Sequence, residues 1–547
     1  MSTRKQSSRN RAFRPAADDL ETRQLLSGVV TGRDIDGDLW TLRLVGPGAI
    51  SVTKQNDASG NPTTLMDPSE INTITIGGTD PTKSQLIGTV TRAAGGDGEV
   101  FFETLNELPS LSEHFAGVGQ GLLAINMPGF WLGNTYAAGT TPTSSPSMHI
   151  PDGTDTLRFG GVDTTHNPVT PTSTSTSDNT EVELGLPMFG GTRVEIDKSI
   201  SSTQQAPPAS GSTTTTTIQH MVTFAVSGRL QLFQANSIVG DATNPPGQFT
   251  NENSAASGSG GTEVVSTLAS VTPFFTTTTS GVVKGAVGGQ IGFVRVGGNA
   301  TNFTTLVEDP TGTGIAHISN FYVGGETNNV MLIAPDGANT LVFGKGMDTV
   351  EIRAHVINQL KANRGAIDSN VAVDRQIGLV DLGGPVVNTK VLSGYAQDYT
   401  GIINTVTGTS TSVFSSATPA APPIPTDAQT AGKMTVHVGG DITNSIFAAS
   451  TAPDTSGAYG SPGELLLPTG QISAKVEGTI DNATATPDSP STAFYAQKVA
   501  LNASPVAPAG VAEEPYAHYS HSFLPGVPAT PVTVGHSTPK GPTTTKK

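Results

Sequence analysis

The chain has 547 residues, no cysteine, 64 glycines, 38 prolines and a formal net charge of −16, with only 14% of its residues charged. The missing cysteines exclude a disulfide framework, thiolate metal ligands and cysteine nucleophiles, and an acidic balance without clustered Lys and Arg in the body excludes a general nucleic-acid binder. Helix formers give way to Gly, Pro, Thr and Ser, the composition of many short strands and turns.

The N-terminus carries Arg4, Lys5, Arg9, Arg11 and Arg14 with no acidic residue before Asp18. No continuous apolar stretch follows, so this is not an ordinary cleavable signal peptide, and composition alone reads residues 1–28 as a disordered basic arm. Within it, Leu20-Glu21-Thr22-Arg23-Gln24-Leu25-Leu26, closing on Ser27-Gly28, resembles the LEPR-XLL motif near the start of many large surface or exported proteins of planctomycete bacteria, with Thr22 where that family prefers Pro. The resemblance implies an extracellular or cell-surface location and says nothing of activity. The Gly and Asn repeats further along also resemble the β-solenoid segments common in such proteins.

Residues 29–105 predict a strand-rich N-terminal module, either a small β-domain or, as we favour, the cap that a solenoid needs over its open core. Trp40, Leu42 and Leu44 alternate, Gly46-Pro47-Gly48 turns the chain, and Ile50 and Val52 return; Ile71, Ile74, Ile76, Leu86, Val90, Val100 and Phe102 mark further strands. Ahead of Trp40, Asp34, Asp36 and Asp38 offer three carboxylates at alternating positions that could hold Ca²⁺ through oxygen ligands. An EF-hand would place a bidentate Glu where Val45 stands, so we favour a tight acidic turn.

Residues 106–502 predict the solenoid itself. Gly117-Val118-Gly119-Gln120-Gly121 imitates a dinucleotide loop, but Leu122 holds the last Gly position and no βαβ unit surrounds it. The longest uncharged apolar region, Gly121 to Tyr136, is broken by Asn126, Pro128, Gly129, Gly133 and Asn134, which fits solenoid strands and not a spanning helix of about 20 apolar residues. Pro151-Asp152-Gly153 to Gly160 recurs as Pro335-Asp336-Gly337 to Gly344, a turn followed by a short strand. Val194, Ile196 and Ile200 fit apolar columns, as do Phe224, Val226, Gly228, Leu230 and Leu232.

The second half repeats a nine-residue phrase, apolar-x-apolar-x-Gly-x-apolar-x-Asn. Its copies end at Asn302, Asn329, Asn358, Asn388, Asn444 and Asn482, and the Gly column reads Gly298, Gly325, Ala354, Gly384, Gly440 and Gly478, at steps of 27, 29, 30, 56 and 38 residues. A period near 28 with alternation inside it is the signature of stacked strands. The Gly would mark a sharp bend or a positive φ, and the Asn a left-handed corner with its amide paired to the next coil. Asp348 to Lys361 is the most helix-like stretch, but it fits the phrase and is read as strand.

The outward position of each phrase, Arg295, Tyr322, Glu351, Asp381, His437 and Lys475, would form one column, read first as a solvated face of mixed charge. Glu351 beside Asp381 is its one pair with acid-base interest, two carboxylates at glycosidase-like separation. Polar tracts at 164–180, 201–217, 241–262, 405–431 and 450–469 read as mobile loop insertions, and 503–547 as a disordered Pro- and Thr-rich tail. His518, Tyr519, His521 and His536 in that tail lack a fixed geometry for a metal. HExxH, GxSxG and GxxxxGK[ST] do not occur.

The fold class expected is all-β: a right-handed parallel β-helix or β-solenoid of roughly ten to twelve coils, about 50 to 60 Å long at about 4.8 Å per coil. The function expected is a non-enzymatic extracellular or cell-surface scaffold or adhesin whose partners are cell-surface components or polysaccharide, with no nucleic acid, no transmembrane segment and no cofactor beyond the calcium weighed at Asp34, Asp36 and Asp38. The alternative is a carbohydrate-active enzyme, a polysaccharide lyase or hydrolase, by analogy of fold.

Overall fold

The computed structural model describes residues 28–55, 64–108, 121–133, 146–163, 180–185, 191–201, 222–227, 229–239, 262–267, 290–307, 316–395, 432–452, 465–466, 470–481, 493–496, 498–502 and 533–534. The basic arm with Leu20 to Leu26, most of the polar insertions, Asn482 and the tail histidines lie outside these residues. No helix occurs among the described residues, and Asp348 to Lys361 is strand interrupted at Thr349 and at His355-Val356.

Residues 376–393 show what one coil is made of. Ile377, Val380 and Leu382 of the strand Gln376–Leu382, Val386 of Val386–Val387 and Val391 of Lys390–Ser393 all join one buried apolar cluster. These three strands are a first face, a short face and a second face. Each is hydrogen-bonded in parallel to its counterparts in the coils before and after. The protein is a parallel β-solenoid.

The first face runs through Leu122–Gly133, Thr154–Asp163, Thr192–Ser201, Arg229–Val239, Gln290–Val296, His317–Val323, Gly337–Phe343, Ile357–Ala362, Gln376–Leu382, Lys433–Val438, Gln471–Val476 and Lys498–Asn502, each parallel to the next. Pro151 to Gly160 and Pro335 to Gly344 both turn onto this face, at Gly153 and Gly337, whose φ are 78° and 115°. At the N-terminal end Val29–Arg33, Leu39–Val45 and Gln85–Thr91 pair antiparallel, and so do Ala49–Lys54 and Ile71–Gly77. Gln85–Thr91 and Ile71–Gly77 then pair in parallel with Leu122–Gly133 and Val100–Leu108. Trp40, Leu42 and Leu44 belong to the same apolar cluster as the coils, and the boundary expected at residue 105 falls inside Val100–Leu108. At the other end Thr533–Val534, inside the stretch read as a tail, pairs with Ala500 and Leu501.

The repeat length is the main correction. Phe321, Leu341, Leu360 and Val380 stack on the first face at steps of 20, 19 and 20 residues, so the basic coil is shorter than 28. The phrase spread two steps, of 29 and 30, over three coils. Its third copy sits elsewhere: Val350, Ile352 and Ala354 lie on the second face, stacked between Val330–Ala334 and Val371–Val373. Phe224 and Val226 are likewise on the second face while Leu230 is on the first. The step of 56 is one coil plus a long connection, not two coils. Both faces alternate apolar and polar residues, so the pattern alone does not tell them apart.

Glycine and asparagine divide the corners between them. Gly325, Gly384, Gly440 and Gly478 do not take positive φ; a Cβ there would lie 2.4 Å from Gly298 C, 2.3 Å from Arg364 O, 2.5 Å from Pro385 N and 2.3 Å from Gly440 C. Their place is set by the close approach of stacked backbones. Ala354 is not in this column. Positive φ belongs to the corner between the short and second faces: Asn302, Asn329, Thr349, Asp368, Asn388 and Asn444 take 51°, 54°, 53°, 47°, 49° and 49°.

There the expected amide ladder runs from coil to coil. Asn329 Nδ2 donates to Asn302 Oδ1 at 2.6 Å, Asn388 Nδ2 to Asp368 Oδ1 at 2.9 Å and Asn444 Nδ2 to Asn388 Oδ1 at 2.7 Å. Thr349 interrupts it, and Asn358 is not a member: it is exposed on the first face and donates to Asn339 Oδ1 at 2.8 Å. Beside this ladder runs a second one, of hydroxyls. Buried Ser369, Thr389 and Ser445 each accept a backbone N–H from the coil before (Val350, Ser369 and Thr389) and donate to a carbonyl of their own coil. Inside, Phe233, Phe303, Phe321 and Phe343 follow one another at ring separations of 6.2, 6.1 and 5.7 Å, each burial worth about 1.5–3 kcal/mol.

Asn388 supplies two ladder bonds at positive φ, which makes it the test of the corner. Asn388→Ala loses both bonds and leaves a methyl at φ 49°, so it should destabilise by about 1–3 kcal/mol in denaturant melts. Asn388→Gly loses the bonds but relieves the backbone and should cost less; the reverse order would overturn the assignment of corner strain.

Candidate functional site

Connections are distributed unevenly around the coil. From Gln290 onward the chain advances four positions from the first face to the short face in each of seven coils: Val296 to Ala300, Val323 to Thr327, Phe343 to Met347, Ala362 to Ala366, Leu382 to Val386, Val438 to Ile442 and Val476 to Ile480. In the four coils before, register shifts change it only slightly, to Met127–Leu132, Phe159–Val162, Ile196–Ile200 and Ala235–Ile238. The long connections between coils instead lie at the edges of the second face, Asn502 to Thr533 at the C-terminal end excepted. Gly133 to Ser147, Asp163 to Thr180, Ser201 to Val222, Val239 to Thr262 and Asp481 to Ala493 enter it; Leu108 to Leu122, Thr267 to Gln290, Val307 to His317, Ser393 to Lys433 and Ala449 to Gln471 leave it. From Leu306 onward part of the outer side of that face is itself buried. Leu306 and Ile333 have no exposed surface, and Ala372, Leu392, Tyr395, Ala448 and Tyr495 form an apolar cluster separate from the interior.

The first face carries the charged column. In register along it stand Asn126, Arg158, Glu195, Gln234, Arg295, Tyr322, Val342, Lys361, Asp381, His437, Lys475 and Asn502. The column expected from sequence is present except for Glu351, which lies on the second face between Met331 and Asn370. Glu351 and Asp381 are therefore on different faces. Glu351 takes a hydrogen bond from Arg353 at 2.5 Å, and Asp381 pairs with Lys361 at 3.5 Å and with His437 at 2.9 Å. The acid-base pair suggested by the sequence is dissolved by register.

Asp34, Asp36 and Asp38 do converge, with oxygen atoms within 4.8 Å of one another. Gly37 at φ 96° closes the turn that brings them round. Their oxygens hold the segment 93–98: Asp38 accepts the N–H groups of Ala93 and Gly98, both at 2.5 Å, and Asp36 that of Asp97 at 2.9 Å. Asp34 is buried and accepts the Asp38 N–H at 2.6 Å. Burial, with the hydrogen bond to Asp36, pushes the Asp34 carboxyl up to about 8. Burial also pushes Asp36 upward, but the bond from Asp34 and the N–H groups of Asp97 and Asp38 hold it below its ordinary value. The pair is satisfied as an acid donating to a carboxylate.

Lys54 was not legible as a functional residue. Its ammonium donates to the carbonyls of Arg33, Leu65 (3.2 Å) and Asp67, tying three segments together as a bound cation would, and burial pulls it down to about 8 against the pull of Glu70, Asp34 and Asp67. Glu103 and Glu107 share the parity of Leu105 in Val100–Leu108, a signal available in the sequence, and both are buried. Burial raises Glu107 to about 7, and it accepts the Thr79 hydroxyl at 2.9 Å. No helix among the described residues is long and apolar enough to cross a membrane. Comparison of the chain with protein-family models, with curated proteins and with solved structures finds no match.

The acidic cluster sets a pH dependence with a definite sign. Asp34 rises from 3.8 to about 8 on folding, so its stabilisation is present at acid pH and is lost as pH climbs from about 4 through about 8. Lys54 falls from 10.5 to about 8, so stability returns between about 8 and 10.5. Melting temperature measured from pH 4 to 10 should pass through a minimum near 8, and Asp34→Asn should flatten the acid limb. Calcium would have to displace the Asp34 proton: a melting temperature at pH 7.5 that rises with Ca²⁺ and falls back with chelator assigns the ion to Asp34, Asp36 and Asp38, and an unchanged one assigns the proton.

Proposed function

We propose that this protein is a non-enzymatic scaffold or adhesin of the cell surface or extracellular space, a solenoid body that presents the connections along the second face to polysaccharide or other surface components. The observation that carries this reading is the asymmetry of those connections. Twelve first-face strands stack, the corner beside them keeps one length in the seven coils from Gln290 onward and differs by no more than two residues in the four before, while the long departures of the chain between coils flank one other face. A stiff core that spares one corner and elaborates two edges is suited to display, because the parts that vary do not disturb the hydrogen-bonded stack. The location rests on the resemblance of Leu20 to Leu26 to the LEPR-XLL motif.

A polysaccharide lyase or hydrolase would gather carboxylates and basic groups into one groove. Here Glu351 and Asp381 stand on separate faces, and the charges of the first face neutralise one another across coils. That arrangement favours binding over turnover.

The purified protein should be retained by a surface polysaccharide or by whole cells without cleaving the glycan. Replacing residues 396–431 by a two-residue link like Asp374-Arg375, which joins Val373 to Gln376, should weaken retention at least tenfold while the β-sheet circular dichroism is preserved. Glycan turnover abolished by Glu351→Gln would overturn the proposal.

A further inference from the structure

His437 is the one described histidine with a carboxylate on each ring nitrogen. Nδ1 lies 2.9 Å from Asp381 Oδ1 in the coil before, and Nε2 lies 3.2 Å from Glu477 Oε1 in the coil after. A neutral imidazole has one N–H, so in this position its other nitrogen would set a lone pair against a carboxylate oxygen; only the imidazolium donates to both. We propose that His437 is a proton-operated clamp that holds the coil of residues 432–449 to the coils on either side of it.

The charged groups around it agree with that role. From the strand before comes Asp381 and, on its far side in Ile357–Ala362, Lys361 at 3.5 Å; from the coil after come Glu477 and Lys475, 2.5 Å apart, with Lys475 in register with His437. Lys433, in the same strand as His437, stands in register with Gln376 and Gln471 and not with a charge. Lys475, then the ring itself, holds the Glu477 carboxyl below its ordinary value, both contacting Oε1, while Lys361 takes Asp381 Oδ2 and leaves Oδ1 to the ring. The hydrogen bond to Asp381, then that to Glu477, raises the His437 pKa above its ordinary 6.5.

The position of the clamp has a physical reason. Asp381 and His437 are 56 residues apart and His437 and Glu477 are 40 apart, whereas neighbouring corners such as Asp368 and Asn388 are 20 apart. Loop-closure entropy grows with the length of the connection, so these two junctions are the costliest to close in the C-terminal half. A charge-assisted contact on both sides of the intervening coil offsets part of that cost. Because the folded pKa is raised, the contribution is complete below the unfolded value near 6.5 and is lost as pH rises through the folded value. Alkaline conditions therefore loosen the last coils, separately from the pH response of Asp34 and Lys54 at the other end of the stack.

The experiment is amide hydrogen exchange of the strands Lys433–Val438 and Gln471–Val476 at pH 6 and pH 8.5, corrected for intrinsic rate, with nuclear magnetic resonance titration of the histidine ring protons assigned through His437→Gln. Protection should fall by a factor of about two to five between the two pH values in the wild-type protein, as expected for partly exposed ion pairs. It should change little in His437→Gln and stay high at both values in His437→Lys, a permanent cation. The ring should titrate above 6.5, and lower in Asp381→Asn and Glu477→Gln. A ring titrating at or below 6.5, or an unchanged pH dependence of exchange in His437→Gln, would overturn the proposal.

Discussion

The hydrogen bonds that join each coil to the next in parallel register are the constraint on which the remainder of this structure depends. A coil such as residues 376–393 has all three of its strands paired to other coils, so it has no stable form alone. Its interior is likewise shared: Phe233, Phe303 and Phe321 lie within ring-contact distance across successive coils. The open first coil is covered by strands that share the same core but pair antiparallel, which ends the propagation of the stack at that side.

Register also sets every residue above its counterpart about 4.8 Å away, and that decides which residues can recur. Amides and hydroxyls recur well because each both donates and accepts, hence the Asn and Ser/Thr ladders at the corner between short and second faces. Glycine recurs where backbones nearly touch. Charges of one sign cannot recur without repulsion. Lys361, Asp381 and His437 therefore alternate along the first face, as His149 and Glu183 do on the second, and where His437 and Lys475 stand in register Glu477 accepts from both. A low charged fraction is the natural composition of such a stack.

The same register explains where variation is allowed. The corner from first to short face keeps its length in all seven coils from Gln290 onward. At the edges of the second face the chain departs and returns without disturbing a pair: Ser393 and Lys433 flank a long connection, yet Lys390–Ser393 pairs with Ile446–Ala449 and Gln376–Leu382 with Lys433–Val438. Display and support are thus assigned to different parts of one coil.

Much of this was settled by the sequence alone. Period-two apolar alternation, turn glycines and recurrent Asn fix strands, a shared interior and left-handed corners, because these are local properties of backbone and side chain. The ladder through Asn302, Asn329, Asn388 and Asn444 is the clearest case. Tertiary structure decided which face each alternating segment occupies. Val350 and Ile352 have the same pattern as Val380 and Leu382 but lie on another side of the coil, which moved Glu351 away from Asp381 and shortened the repeat from 28 to about 20 residues. It also decided the company kept by Asp34, Lys54 and His437, whose partners are 56 residues away in the case of His437 and Asp381. Proximity of that kind comes from stacking, and a linear pattern carries no record of how long the chain wanders between one coil and the next.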